Sequence, residues 1–106
     1  MSNPLIKAGQ YVFIGKKLTP NTNRCFKILE YPFDYNMGIR IRFGDDKGLD
    51  LCYDDPFHSD YLTCIIDFSS LSEEEKARYI TILNSSDKDS HQYVLEILKE
   101  KNCIII

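Results

Sequence analysis

The stretch from Ile39 to Tyr53 constrains this chain more than any other. Ile39-Arg40-Ile41-Arg42-Phe43 and Leu49-Asp50-Leu51-Cys52-Tyr53 largely alternate apolar with polar residues, and the intervening Gly44-Asp45-Asp46-Lys47-Gly48 has a glycine at each end. Alternating runs on either side of a glycine-bounded loop are the signature of a β-hairpin. Pairing Phe43 with Leu49 sets Ile41 opposite Leu51 and Ile39 opposite Tyr53 on one face. The same register sets Arg42 opposite Asp50 on the other face, as a cross-strand pair of opposite charge. A slip of one residue would carry Arg42 in among the apolar side chains, so burial also selects this pairing.

Around this hairpin the chain reads as a series of short strands. Gly9 opens a strand over 10–14, and Gly15 to Asn23 is a polar loop containing Pro20. A second strand runs from Arg24 to Tyr31, where Pro32, which has no N–H to give a ladder, ends it. Phe33 to Gly38 bridges to the hairpin, Asp54-Asp55-Pro56 turns the chain, and Tyr61 to Phe68 is a fifth strand. The period then changes. Ser72 followed by Glu75 forms a capping box at a helix start, with Ala77, Ile80 and Leu83 as the core stripe. A second helix starts near Asp89, buries Val94, Ile97 and Leu98 with help from Tyr93, and stops at Asn102. The expected fold is α+β: a five-stranded antiparallel meander followed by two helices and a short terminal strand or buried tail. One domain spans residues 1–106, with 10–67 as the sheet and 68–106 as the helical part packed on it.

The order of connections, a long polar loop, an intermediate one, a tight hairpin and a proline turn, resembles an SH3-type small barrel over residues 10–67. The resemblance is to an architecture and not to a family, because the chain has no tryptophan and so lacks the tryptophan pair of signalling SH3 domains. A partly open sheet capped by the two helices is the alternative.

The opening Met1 to Lys7 has no apolar signal-peptide core and no apolar run is long enough to span a membrane, so a cytoplasmic location is expected. Four cysteines without a C-x-x-C pair then read as reduced thiols, with Cys25 and Cys64 inside strand-like runs as small core residues. No metal or other cofactor is expected. Ile, Lys, Asn, Tyr and Phe are frequent while Ala and Arg are rare, a bias that suits an AT-rich genome, as in many bacteria, their phages and some parasites, without choosing among them. The net charge of −3 is unevenly spread. Residues 1–29 hold only bases, and residues 30–67 hold most of the acids.

Three groups of residues carry candidate function. Tyr31, Phe33, Asp34 and Tyr35 form one aromatic and acidic group, and Asp54, Asp55, Phe57, Asp60 and Tyr61 form another. In an SH3-like arrangement both lie at one edge, where rings flanked by carboxylates suit a basic or proline-rich protein surface. The same residues also read as core plugs and turn formers. Lys16, Lys17, Arg24 and Lys27 border the first loop beside Tyr11 and Phe13, the combination of a single-strand nucleic-acid binder, although the acidic middle opposes a phosphate backbone. The terminal Cys103-Ile104-Ile105-Ile106 matches a prenylation pattern except that a final Ile is outside its usual set, and a buried tail is the expected reading. His58 among Asp54, Asp55 and Asp60 has no metal-ligand spacing, and His91 reads as a surface residue in the first turn of a helix. With no nucleophile elbow and no phosphate loop, the expectation is a non-enzymatic interaction module, a regulator or inhibitor of a larger protein. Single-strand nucleic-acid binding is the alternative.

Overall fold

The computed structural model describes residues 4–15, 23–35, 38–45, 48–54 and 64–106, with the backbone alone at 35, 38, 39, 53 and 54. Its strands are β1 (Tyr11–Phe13), β2 (Cys25–Tyr35), β3 (Gly38–Gly44), β4 (Asp50–Asp54) and β5 (Cys64–Ile66). Two helices follow, α1 (Glu73–Asn84) and α2 (Lys88–Glu100). The strands form one antiparallel sheet in the order β4-β3-β2-β1-β5. The expected α+β arrangement is therefore present. The sheet is open, however, and the SH3-like closure is not made. The outer edge of β5 is taken by the C-terminal tail: Ile66 bridges Ile104, Ile105 N–H donates to Ile65 O, and Ile65 N–H donates to Ile106 O. A covered edge has no need of closure.

Both faces of the sheet are apolar. One buries Val12, Phe26, Ile28, Ile41, Phe43 and Ile65, with Phe26 and Phe43 rings 5.5 Å apart. Leu49, Leu51, Ile105, Ile6 and Tyr31 close over it. On the other face Phe13, Cys25 and Ile66 meet Tyr79 and Leu83 of α1 and Val94 and Leu98 of α2.

The hairpin forms as expected, but in a register two residues away. Phe43 faces Leu51, Ile41 faces Tyr53, and Arg42 faces Cys52. Pairing continues into the loop: Asp45 N–H donates to Leu49 O (3.1 Å), and Leu49 N–H donates to the Asp45 carboxylate (3.0 Å). Gly44 allows that closure, because a Cβ there would overlap the Leu49 carbonyl. A shift of two keeps every side chain on its face, so the inward set of Ile41, Phe43 and Leu51 is unchanged. Arg42 still reaches Asp50 diagonally (3.0 Å) and adds Glu30 (3.5 Å).

Pro32 does not end the second strand. The strand runs on to Tyr35 through a cis Tyr31–Pro32 bond. The pairing with β3 moves from Ile28–Phe43 to Glu30–Arg42 and then to Phe33–Arg40, so β2 takes in one extra residue twice. Pro32 falls in the second irregularity, where proline's missing N–H costs no ladder bond.

Helix α1 begins at Ser72, whose hydroxyl accepts from Glu75 N–H (3.1 Å) and donates to the Glu75 carboxylate (3.3 Å). The predicted stripe is rotated: Tyr79 and Leu83 are buried, Ile80 is half-buried and Ala77 is exposed. Helix α2 begins one residue earlier than expected, capped by the Asp87 carboxylate on the Asp89 and Ser90 N–H groups. His91 joins Val94 and Leu98 inside, while Tyr93 faces solvent. Asn102 takes a left-handed φ of 59°, with Asn102 N–H on Lys99 O and Cys103 N–H on Leu98 O. These bonds make the Schellman stop expected at that position.

Candidate functional site

The aromatic and acidic candidates divide across the sheet. Tyr31 is buried at 8% exposure and Phe33 is half-buried, while Asp34 is exposed. All three lie on β2, so the segment read as a bridging loop is strand through Tyr35. Arg40 of β3 pairs with Phe33 on one side and Asp54 of β4 on the other. The register thus brings the 31–35 segment and Asp54 to one end of the sheet, across a single intervening strand. Asp55, Phe57, His58, Asp60 and Tyr61 lie outside the described residues, as do the side chains of Tyr35 and Asp54.

Arg24 and Lys27, the two described basic candidates, do not share one surface. The Arg24 side chain is buried at 8% exposure and donates from its guanidinium to Gly15 O (2.6 Å). Lys27 is exposed on β2, and Lys16 and Lys17 lie outside the described residues. Arg24 is held from the backbone as well: Asn84 Oδ1, at the end of α1, accepts from the N–H groups of Arg24 (2.9 Å) and Cys25 (2.8 Å). Near that point β3 runs out, its last pair with β2 being Gly44–Lys27. The carboxamide of Asn84 therefore takes N–H groups that no β3 residue meets.

Away from Asn84 the helix stands off the strand. Alternate residues Asn23, Cys25, Lys27 and Leu29 form one wall of a channel of about 760 Å³, and Lys76, Ala77, Ile80 and Thr81 form the facing helix wall. Tyr11 closes its floor from β1. The strand wall spans about 20 Å and the helix wall about 7.5 Å, from the rise per residue of each. At the Tyr11 end, Lys76 Nζ lies 5.2 Å from the centre of the Tyr11 ring, and Lys27 is the cross-strand partner of Tyr11.

The cysteines and histidine are structural in their surroundings. Cys25 and Cys64 flank Phe13 on neighbouring strands. Burial, and secondarily the Cys64 sulfur, pushes the Cys25 thiol far up, and burial pushes Cys64 up to about 12. Both stay protonated at neutral pH and are poor nucleophiles. Cys103 is fully buried, within 3.7 Å of Ser70 Oγ, while Ile104 and Ile105 are half-buried and Ile106 is exposed, so the expected burial of the tail holds fully only at Cys103, whose thiol is closed to a prenylating enzyme in this fold. His91 is 6% exposed, against the surface position expected. Its Nε2 donates to Ser85 O (2.7 Å), since a carbonyl only accepts, and its ring meets Phe13 edge to face at 5.3 Å. Among the described residues no three His, Cys, Asp or Glu side chains gather as a metal site. No helix among them is long and apolar enough to cross a membrane.

Sequence reasoning missed the channel. Its walls are a period-two set on β2 and a helical-period set on α1, more than forty residues apart, and each alone reads as an ordinary half-buried face. The only local signal was Ala77 with Ile80, an apolar pair read as core. No protein-family model, curated protein or solved structure matches the chain.

Proposed function

We propose that this chain is a small, soluble, non-enzymatic interaction module that regulates or inhibits a larger protein, binding it at the far end of β2, β3 and β4. The observation that carries the reading is the register around Arg40, which sets Phe33 and Asp34 across β3 from Asp54. The segment after Asp54 adds Asp55, Phe57, Asp60 and Tyr61 in sequence. Half-buried Phe33 beside the exposed Asp34 is the composition of an interface anchor with an acidic rim. The acid-rich 30–67 block favours encounter with a basic or proline-rich partner.

The test is affinity capture from the source cell with the native chain and with a Phe33→Ala/Asp34→Lys variant. The reading expects one larger protein to be retained by the native chain and lost by the variant, while the thermal midpoint of the variant stays close to native. Equal retention by both proteins refutes it. So does tight, salt-steep binding of a single-stranded oligonucleotide that Lys16→Glu/Lys17→Glu abolishes.

A further inference from the structure

We propose that Arg24 anchors a separate binding site for a small free oxyanion of the phosphate class, at the opposite end of β2 from the 31–35 segment. Arg24 sits where β1 runs out and β2 begins, and its backbone is held from both sides. Its N–H donates to Asn84 Oδ1 (2.9 Å), and its carbonyl accepts from Ile14 N–H (2.7 Å). The side chain is also fixed: only 8% of the residue is exposed, and Nη1 donates to Gly15 O at 2.6 Å. Nε is buried and has no hydrogen-bond partner. The bond to Gly15 leaves the edge formed by Nε and Nη2, the side-by-side donors with which a guanidinium grips an oxyanion.

A buried charge is costly unless it is paired, and an orphaned buried donor beside one points to an ion. Among the described residues no carboxylate pairs with Arg24. The neighbouring chain does not make good the deficit. Residues 1–29 contain no Asp or Glu, and the loop that joins β1 to β2 adds Lys16 and Lys17. Three like charges so close in sequence favour a dianion over a monocarboxylate. The small remaining exposure of Arg24 suits a compact ion. A nucleic-acid backbone needs a row of exposed cations, which Arg24 and Lys27 do not form.

The Arg24 Nε–H resonance of the full chain is the reporter, followed while sodium phosphate replaces sodium chloride at constant ionic strength. The expected result is a saturable shift of that resonance, with phosphate at least about tenfold tighter than acetate. The Tm should rise with phosphate, as for any ligand of the folded state alone. Arg24→Lys keeps the charge and a donor for Gly15 but loses the fork, and should weaken phosphate binding at least about tenfold. The absence of a saturable shift overturns the proposal, as does an equal response to acetate. Phosphate affinity unchanged in Arg24→Lys puts the ion elsewhere and overturns it too. A single-stranded oligonucleotide that moves the Nε–H signal at a lower phosphate concentration than the free ion overturns the choice of a free ion. The resonance of the native chain decides even where the variant does not fold.

Discussion

Asn84→Ala isolates the contact that joins helix to sheet. Asn84 Oδ1 serves two backbone N–H groups, those of Arg24 and Cys25, residues that are 8% and 4% exposed. Alanine removes the acceptor and supplies none. An unsatisfied buried N–H costs about 1–3 kcal/mol. The channel beside Asn84 admits water to part of this site, which places each group near the lower end and the pair at about 2–3 kcal/mol. Alanine returns about 0.5 kcal/mol through its better helix propensity. The net expectation is a loss of about 2 kcal/mol, a fall in Tm of roughly 10 °C for a domain of this size. Urea denaturation gives the free energy, and amide exchange locates it: the Cys25 amide should lose protection more than those of Val12 or Ile41. Asn84→Asp, which keeps an acceptor in place, should recover most of the loss. A loss below about 0.5 kcal/mol with unchanged Cys25 exchange would show that Asn84 does not secure the start of β2.

Three further outcomes follow from the same structure. Ile41, fully buried, should lose about 3 kcal/mol on replacement by alanine. Arg42→Ala, removing exposed pairs to Asp50 and Glu30, should move the urea midpoint far less, and the reverse order would invert the assignment of faces. Cys52 and Cys64 are both half-buried, but desolvation raises the Cys64 thiol to about 12, so native-state alkylation at pH 8 should modify Cys52 before Cys64; comparable rates would contradict that shift. Asp67 is held below the usual carboxylate range by its bonds to Ser69, with Gln10 and Lys7 contributing. A depressed acid stabilises the fold above its unfolded pKa of about 3.9 and loses that stabilisation as pH falls through the folded value. Asp67→Asn should therefore flatten the decline in stability below about pH 4, and an unchanged acid limb would refute the linkage.

How much of this was legible in sequence depended on the kind of pattern. Alternation around residues 44–48 revealed the hairpin and its buried face. A period of two cannot separate registers that differ by two, and the choice fell to the Asp45 carboxylate and the side-chain-free Gly44. Pro32 reads as a stop only if the ladder is regular, whereas β2 is irregular on both sides of Glu30. The α1 stripe was right at Leu83 and at Ile80, which packs against the core, but missed Tyr79 and included Ala77, because the helix has a second apolar aspect where Ala77 and Ile80 line the channel. His91 looked like a surface residue because its burial depends on Ser85 and Phe13, partners far from helical spacing. For the candidate site, composition picked out the aromatic and acidic segments. Their approach across Arg40 needed the shifted register of β2, and Tyr31 proved to belong to the core.

The proposal that this chain acts by binding a larger protein at the end of β2, β3 and β4 is tested most directly by hydrogen exchange on the complex with the captured partner. The account predicts protection gained over 31–35 and 50–61, with little change over 73–85 along α1. Protection confined to α1 and the first half of β2, or no change over 31–35, would contradict it.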